Sequence, residues 1–136
     1  MSEENKAIVR RLIEDTWNKK NRSLIDEVIA PDYVGHNPGG DLHGLDGARQ
    51  LYDIYTTGFP DFNLAIEELM AEGDSVTVRW TFSGTHEGDL MGVPPSGNQV
   101  SVNAFGTFRI TGGKIAEDHL LWDTLSLMQQ VGAIPS

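Results

Sequence analysis

The chain has 136 residues, enough for one hydrophobic core, so we expect a single domain over residues 1–136. Ten Lys and Arg residues against 20 Asp and Glu residues give a formal net charge of -10, which repels nucleic-acid backbones and anionic membrane surfaces. The sequence has no cysteine, no signal-peptide core and no apolar run of about 20 residues, so we expect a cytoplasmic protein that binds neither nucleic acid nor membrane.

The N-terminal part of the chain is predicted to be helical. Ser2 can cap a first helix, in which apolar side chains recur at helical spacing over residues 8–17. Ser23 and Asp26 resemble a capping box at the start of a second, short helix, which Pro31 ends.

A loop is predicted between the second helix and a third one. Residues 31–44 contain so many Gly and Pro residues that regular structure is not expected there, and they include His36 and His43. Asp46 can cap the third helix, which ends at Gly58.

The second half of the chain is predicted to form an antiparallel sheet of four strands. Apolar and polar side chains alternate over residues 76–83 and 100–110, which is typical of a sheet with one buried face. A short last helix follows, which carries Leu125, Met128 and Val131 and ends before Gly132. Helices followed by strands predict an α+β domain.

Asp118 is the charged residue that the last predicted strand places among large apolar side chains. The more apolar of the two alternating sets should face the core, and it consists of Ala116, Asp118, Leu120 and Trp122. The other set, Ile115, Glu117, His119, Leu121 and Asp123, should face outward. A buried carboxyl group must be paired, hydrated or raised in pKa, so this register predicts a polar pocket. The alternative is a structural Asp that is exposed or hydrogen-bonded near the end of the core.

Other kinds of site find little support in the sequence. His36 and His86 lie in Gly-rich segments, where catalytic residues are common, although a loop His often only bonds a neighbouring carbonyl. His119 and Asp123 have the spacing of a helical metal pair, but on a strand they lie about 13 Å apart, so we expect no metal. Dinucleotide, phosphate-loop and nucleophile-elbow motifs are absent.

Six short motifs run in order along nearly the whole chain. They are Pro31-Asp32-Tyr33 with His36; Phe59-Pro60-Asp61; Gly84-Thr85-His86-Glu87-Gly88; Gly92-Val93-Pro94-Pro95-Ser96-Gly97; Gly113-Lys114-Ile115 with Glu117; and Asp123 followed by Leu127, Gln130 and Gly132. Together they resemble the SnoaL-like polyketide cyclase family. The resemblance implies the fold of nuclear transport factor two and ketosteroid isomerase, in which a cone-shaped, curved antiparallel or mixed sheet wraps around N-terminal helices and encloses an apolar cavity. It also implies a homodimer through the outer face of the sheet.

The same resemblance implies a chemistry. Cyclases of this family close a polyketide ring by an aldol reaction without metal or organic cofactor, using an Asp on the last strand and a His on the preceding one. These two positions fall on Leu120 and Gly106, so both functional groups are absent from them in this chain. Asp118 belongs to the same face one pleat away, about 6 to 7 Å along the strand, and is the candidate substitute.

The sequence therefore leaves three functions open. The first is a cofactor-independent enzyme of cyclase, isomerase or lyase (hydratase) type acting on a small, largely apolar substrate, with Asp118 as acid or base and His36 or His86 as its partner. The residues expected to shape its pocket are Trp17, Tyr33, Trp80, Phe82, Met91, Leu120 and Trp122. The second is a module that binds a hydrophobic ligand without turnover, and the third is a structural dimer. Asp118 within reach of either His around a cavity of roughly a few hundred Å³ would favour the enzyme.

Overall fold

The computed structural model describes the backbone of residues 2–135 and the side chains of residues 3–135. The helices are α1 (Ser2–Arg10), α2 (Ile25–Val28), α3 (Gly44–Gly58) and α4 (Thr124–Gln130). A π-helical segment (Arg11–Asn18) continues α1, and a 3₁₀ turn (Arg22–Leu24) precedes α2. Among the described residues, no helix has the length and apolar character needed to cross a membrane.

The strands form one open, curved, six-stranded sheet. They are β1 (Ile29–Asn37), β2 (Gly40–His43), β3 (Asn63–Glu72), β4 (Ser75–Thr85), β5 (Gln99–Thr111) and β6 (Lys114–Trp122), arranged in the order β2-β1-β6-β5-β4-β3. The predicted antiparallel succession from β3 to β6 is confirmed. β1 joins it in parallel to β6, so the sheet is mixed and the first and last strands are neighbours.

The segment predicted as a loop, residues 31–44, is instead mostly a hairpin. β1 and β2 pair antiparallel, and Pro38 and Gly39 form the turn between them. Pro31 lies where the register of β1 against β6 shifts, so its missing N–H is tolerated there. The prediction was wrong because local Gly and Pro content does not report a pairing partner that lies far along the chain.

The predicted helix starts are only partly correct. Ser23 lies in the 3₁₀ turn, where its hydroxyl donates to Asn21 Oδ1 at 2.8 Å, and no capping box forms. α3 begins after His43 without a side-chain cap, and Asp46 lies in its first turn instead. The side chain of Ser2, the predicted cap of α1, falls outside the described part of the chain.

The last helix is confirmed, and it has an N-terminal cap, Asp123, that was not predicted. Asp123 Oδ1 accepts a hydrogen bond from the Ser126 N–H at 2.9 Å. Leu127 and Val131 are buried, whereas Leu125 is 60% exposed.

The alternating burial predicted for the sheet is confirmed on β4 and β5, where every second side chain faces the core. On β6, Asp118 and Leu120 face inward as predicted. Ile115 was expected outside but is fully buried, because the register of β5 against β6 shifts between Arg109 and Ile110. The helices α1 and α3 pack on β3 and β1 respectively, and the core lies between them and the sheet.

Candidate active site

A cavity of about 90 Å³ lies between the helices and the inner face of the sheet. Six of the seven residues predicted to shape a pocket line it, namely Trp17, Tyr33, Trp80, Phe82, Leu120 and Trp122. Met91 does not, because it lies exposed in the segment between β4 and β5. The cavity is smaller than the enzyme hypothesis expected, with space for a few water molecules.

Asp118 is the one carboxyl group among the described residues that line this cavity. It is 2% exposed, and its Oδ2 accepts a hydrogen bond from the Tyr33 hydroxyl at 2.7 Å. Its other oxygen, Oδ1, is buried and has no hydrogen-bond partner among the described residues. The carboxyl group is therefore fixed on one side and free on the other.

Burial sets the protonation behaviour of this pair. It raises the pKa of Asp118 to about 7, although the hydrogen bond from Tyr33 acts in the opposite direction. Burial, followed by the adjacent Asp118 charge, raises the pKa of Tyr33 far above its usual value. At neutral pH the phenol thus remains a hydrogen-bond donor, while the carboxyl group can both hold and release a proton.

Gly35 makes room for this hydrogen bond. It pairs with Asp118 across the parallel strands β1 and β6, and Tyr33 lies two residues before it on the same face. A Cβ atom at position 35 would overlap the Tyr33 hydroxyl oxygen and lie 2.8 Å from Tyr33 Cζ. The absence of a side chain at Gly35 therefore lets the phenol ring lie along the sheet and reach the carboxylate.

The structure does not bring His36 to Asp118. Neighbouring residues of a strand point to opposite faces, so His36 lies on the outer face of the sheet while Gly35 lies on the inner face. Its Nδ1 lies 2.9 Å from Asp41 Oδ1 and its Nε2 lies 2.8 Å from Glu117 Oε2. The hydrogen bonds to Glu117 and then Asp41 raise the pKa of His36.

His86 does not reach Asp118 either. It is fully buried just beyond the end of β4 and is not among the residues that line the cavity. Its Nδ1 accepts a hydrogen bond from the Ser96 N–H at 3.2 Å and lies 2.9 Å from Ser96 Oγ. Its backbone bonds Gly97 and Asn98 as well, so this residue anchors the segment that leads into β5.

Gly106 and Leu120, where the family resemblance places a His and an Asp, face each other across β5 and β6. A Cβ atom on Gly106 would lie 2.6 Å from Leu120 Cδ2 and 3.0 Å from Trp80 Cζ3. The Leu120 side chain thus occupies space that a side chain at position 106 would need. The two apolar positions fit each other, and the wall they form has no acid or base.

Two features of the site were not predicted. Tyr33 was expected to shape the pocket but not to form a hydrogen bond with Asp118. If β1 had been recognised as a strand, the shared parity of Tyr33 and Gly35 would have indicated that the Tyr33 side chain points inward. The second feature is a group on the outer face, His36, Glu117 and His119, whose possible metal-ligand atoms lie within 4.8 Å of one another. It was missed for the same reason, since only the strand pairing brings His36 beside His119.

Comparison with known proteins places this chain in a family. The nogalonic acid methyl ester cyclase of Streptomyces nogalater is 31% identical over 123 residues, which cover 85% of this chain and 89% of that protein. The aklanonic acid methyl ester cyclase of Streptomyces peucetius is 29% identical over 132 residues, covering 92% of this chain and 88% of that protein.

A solved structure agrees with these relatives. A protein from Jannaschia sp. CCS1 described as a SnoaL-like polyketide cyclase superposes with a TM-score of 0.91 at 27% identity, covering 98% of this chain and 95% of that one. The family profile for SnoaL-like polyketide cyclases matches residues 7–131. With its mixed curved sheet and helix-covered cavity, the chain belongs to the SnoaL-like polyketide cyclase family.

Proposed function

We propose that this protein is a cofactor-independent acid–base enzyme that acts on a small, largely apolar carbonyl compound, with Asp118 as the group that transfers the proton. The observation that supports this most directly is the Asp118 carboxyl group, buried at an otherwise apolar cavity and bonded through only one oxygen. A buried carboxyl group is costly to the fold, and such groups are concentrated at functional sites.

The reaction begins with Asp118 as the base. The carboxylate takes a proton from the carbon next to the substrate carbonyl, and the electrons of that C–H bond form an enolate. The enolate carbon then bonds to a second carbonyl carbon of the same molecule, and protonated Asp118 returns its proton to the new alkoxide. The protein is unchanged, and the substrate has gained one ring.

Ring closure is favoured over other outcomes by the relatives, two of which are named as methyl ester cyclases. Return of the proton to a different carbon would give isomerisation through the same first step. Tyr33 holds the carboxyl group in place and stabilises its charged form by hydrogen bonding. Leu120 and Gly106 offer no proton-transfer group, so the acid–base role falls to Asp118.

The walls also restrict the substrate. They are built mainly from aromatic and aliphatic side chains, which favour an uncharged compound. A ligand of more than a few non-hydrogen atoms requires side chains such as Leu51 and Leu120 to rotate outward, because the cavity measures about 90 Å³.

Proton abstraction next to a carbonyl is directly measurable in D₂O. We expect the wild-type protein to speed the incorporation of deuterium beside the carbonyl in at least one member of a panel of apolar ketones and 1,5-diketones, followed by ¹H NMR. Asp118→Asn preserves the shape of the side chain but cannot accept this proton, so exchange should fall by about 10²-fold or more. Asp32→Asn makes the same chemical change at an exposed position on β1. It should leave the rate of deuterium exchange unchanged.

A binding module is the competing function, and the apolar pair Leu120 and Gly106 favours it. It predicts ketones that raise the melting temperature of the wild-type protein and are recovered without deuterium. The enzyme proposal would be rejected if a ketone binds but exchanges deuterium no faster than it does in buffer. It would also be rejected if Asp118→Asn exchanges deuterium as fast as the wild-type protein does.

A further inference from the structure

Three strands place polar side chains in one row on the outer face of the sheet. Asp41 on β2 is the register partner of His36 on β1, and His36 is the register partner of His119 on β6. Glu117 lies two residues before His119 and therefore on the same face. These side chains point away from the cavity and from Asp118.

The two imidazoles and the Glu117 carboxylate form a compact donor group. The rings of His36 and His119 are stacked with centroids 4.3 Å apart and planes 20° apart. His36 Nε2 lies 2.8 Å from Glu117 Oε2, and one ligand atom from each of the three residues falls within 4.8 Å of the others. In tetrahedral zinc sites the ligand atoms lie about 3.3 Å apart, so coordination requires the stacked rings to rotate until their nitrogens converge on one ion.

Neighbouring groups orient two of these donors. Asp41 Oδ1 lies 2.9 Å from His36 Nδ1 and accepts its proton in a hydrogen bond, so Nε2 is the nitrogen that faces Glu117. In the metal-free protein Nε2 donates to Glu117 Oε2 at 2.8 Å, and a bound metal ion would replace that proton. Arg109 Nε donates to Glu117 Oε1 at 3.3 Å, which leaves Oε2 as the donor that faces the imidazoles. A carboxylate behind a metal-bound imidazole is the usual support for such a ligand.

The group is also accessible in the single chain. The side chains of His36 and Glu117 are 31% and 33% exposed, and His119 is exposed. The protein has a formal net charge of -10, which attracts cations from solution.

We propose that this outer-face group binds one divalent transition-metal ion of the zinc type through His36, Glu117 and His119. Two imidazoles and one carboxylate are a known donor set for zinc with one position left to water, and they suit Mg²⁺ or Ca²⁺ poorly. The ion ties β1 to β6, the two strands that hold Tyr33 and Asp118, from the side opposite the cavity. The site is independent of the function proposed above.

Zinc binding to the full chain tests this inference. After treatment with EDTA and removal of the chelator, equilibrium dialysis with ZnCl₂ should give one ion per chain, and the melting temperature should rise until that ratio is reached. His119→Ala and Glu117→Gln should lose both effects. Asp41→Asn should weaken binding by about 10- to 100-fold while leaving the ratio at one.

His43→Ala is the matched control, because His43 is exposed on β2 outside the group. It should bind zinc as the wild-type protein does, and MgCl₂ should shift neither protein. In a ¹H–¹³C NMR spectrum, zinc should move the imidazole signals of His36 and His119 and leave those of His43 and His86 in place. Absence of binding, or binding that His119→Ala leaves intact, would overturn the proposal.

Discussion

The hydrogen bond between Tyr33 and Asp118 puts two polar groups in surroundings that are otherwise apolar. Either group alone would be a buried polar group without its partner, which costs about 1–3 kcal/mol. Replacing both by apolar groups of similar shape removes that cost. The pair therefore stabilises the fold no better than apolar groups of the same shape would, and it supplies the carboxyl group on which the proposed function depends.

We expect Tyr33→Phe and Asp118→Leu each to lower the free energy of unfolding by about 1–3 kcal/mol, because each leaves its partner unsatisfied. The double variant should lie within about 1 kcal/mol of the wild-type protein or above it. Urea unfolding of all four proteins at one pH measures this as a double-mutant cycle. Strictly additive losses would mean that the two side chains do not interact in solution.

The residues of the candidate site were only partly predictable from the sequence. The direction of Asp118 followed from the parity of β6, because its neighbours at 116, 120 and 122 are apolar. Its partner did not follow, because Tyr33 lies in a segment whose composition hides a strand. His36 and His86 were chosen for their loop setting, and residue type alone does not reveal which face of a sheet a side chain occupies.

The hairpin of β1 and β2 contains two glycines in different surroundings. Gly35 lies on the inner face of the sheet, where an added Cβ atom would overlap the Tyr33 hydroxyl group. Gly39 lies in the turn, where an added Cβ atom would meet nothing within 4 Å. Comparing alanine substitutions at these two positions therefore distinguishes the need for space beside Tyr33 from the general effect of replacing a glycine in the hairpin.

Gly35→Ala should push the Tyr33 ring away from Asp118 and lower the free energy of unfolding by about 1–3 kcal/mol, as overpacking does. It should also reduce deuterium exchange of the ketone, since the carboxyl group loses its hydrogen bond. Gly39→Ala should leave both quantities close to wild type. Denaturant unfolding and the D₂O assay measure them, and equal behaviour of the two variants would contradict the role assigned to Gly35.

At the scale of elements, local patterns predicted some parts well and others not at all. The strict alternation of β4 and β5 reports one buried face and needs no knowledge of partners. The second half of the first helix is π-helical, and apolar spacing over residues 8–17 does not distinguish it from an α-helix. β1 was missed because its pairing with β6 is a long-range property that local composition does not encode.

On the whole molecule, the outer face of the sheet has two large apolar side chains opposite each other. Phe105 and Leu121 are register partners on β5 and β6 and are 55% and 67% exposed. Contiguous exposed apolar groups often mark an interface. The homodimer expected from the family resemblance would cover them, and it stays a prediction.

We expect a dimer in solution that Leu121→Glu converts to a monomer, because the substitution places a charge in the apolar centre of that face. Size-exclusion chromatography with light scattering measures the mass, and EDTA in the buffer removes any contribution from metal. Met70→Glu makes a similar change at a residue that is 57% exposed on β3, away from this pair, and should leave the dimer intact. A monomeric wild-type protein would contradict the prediction.

The position of β6 between β1 and β5 has a consequence for the order in which the molecule assembles. Tyr33 precedes Asp118 by 85 residues, so a ribosome releases the phenol long before the acid that it bonds. Until β6 pairs with both of its neighbours, the nascent chain has neither the enclosed cavity nor the buried carboxyl group of Asp118. The strand that joins the two parts of the open sheet also carries the candidate acid–base residue, so we expect none of the proposed activity from a partly folded chain in which β6 is unpaired.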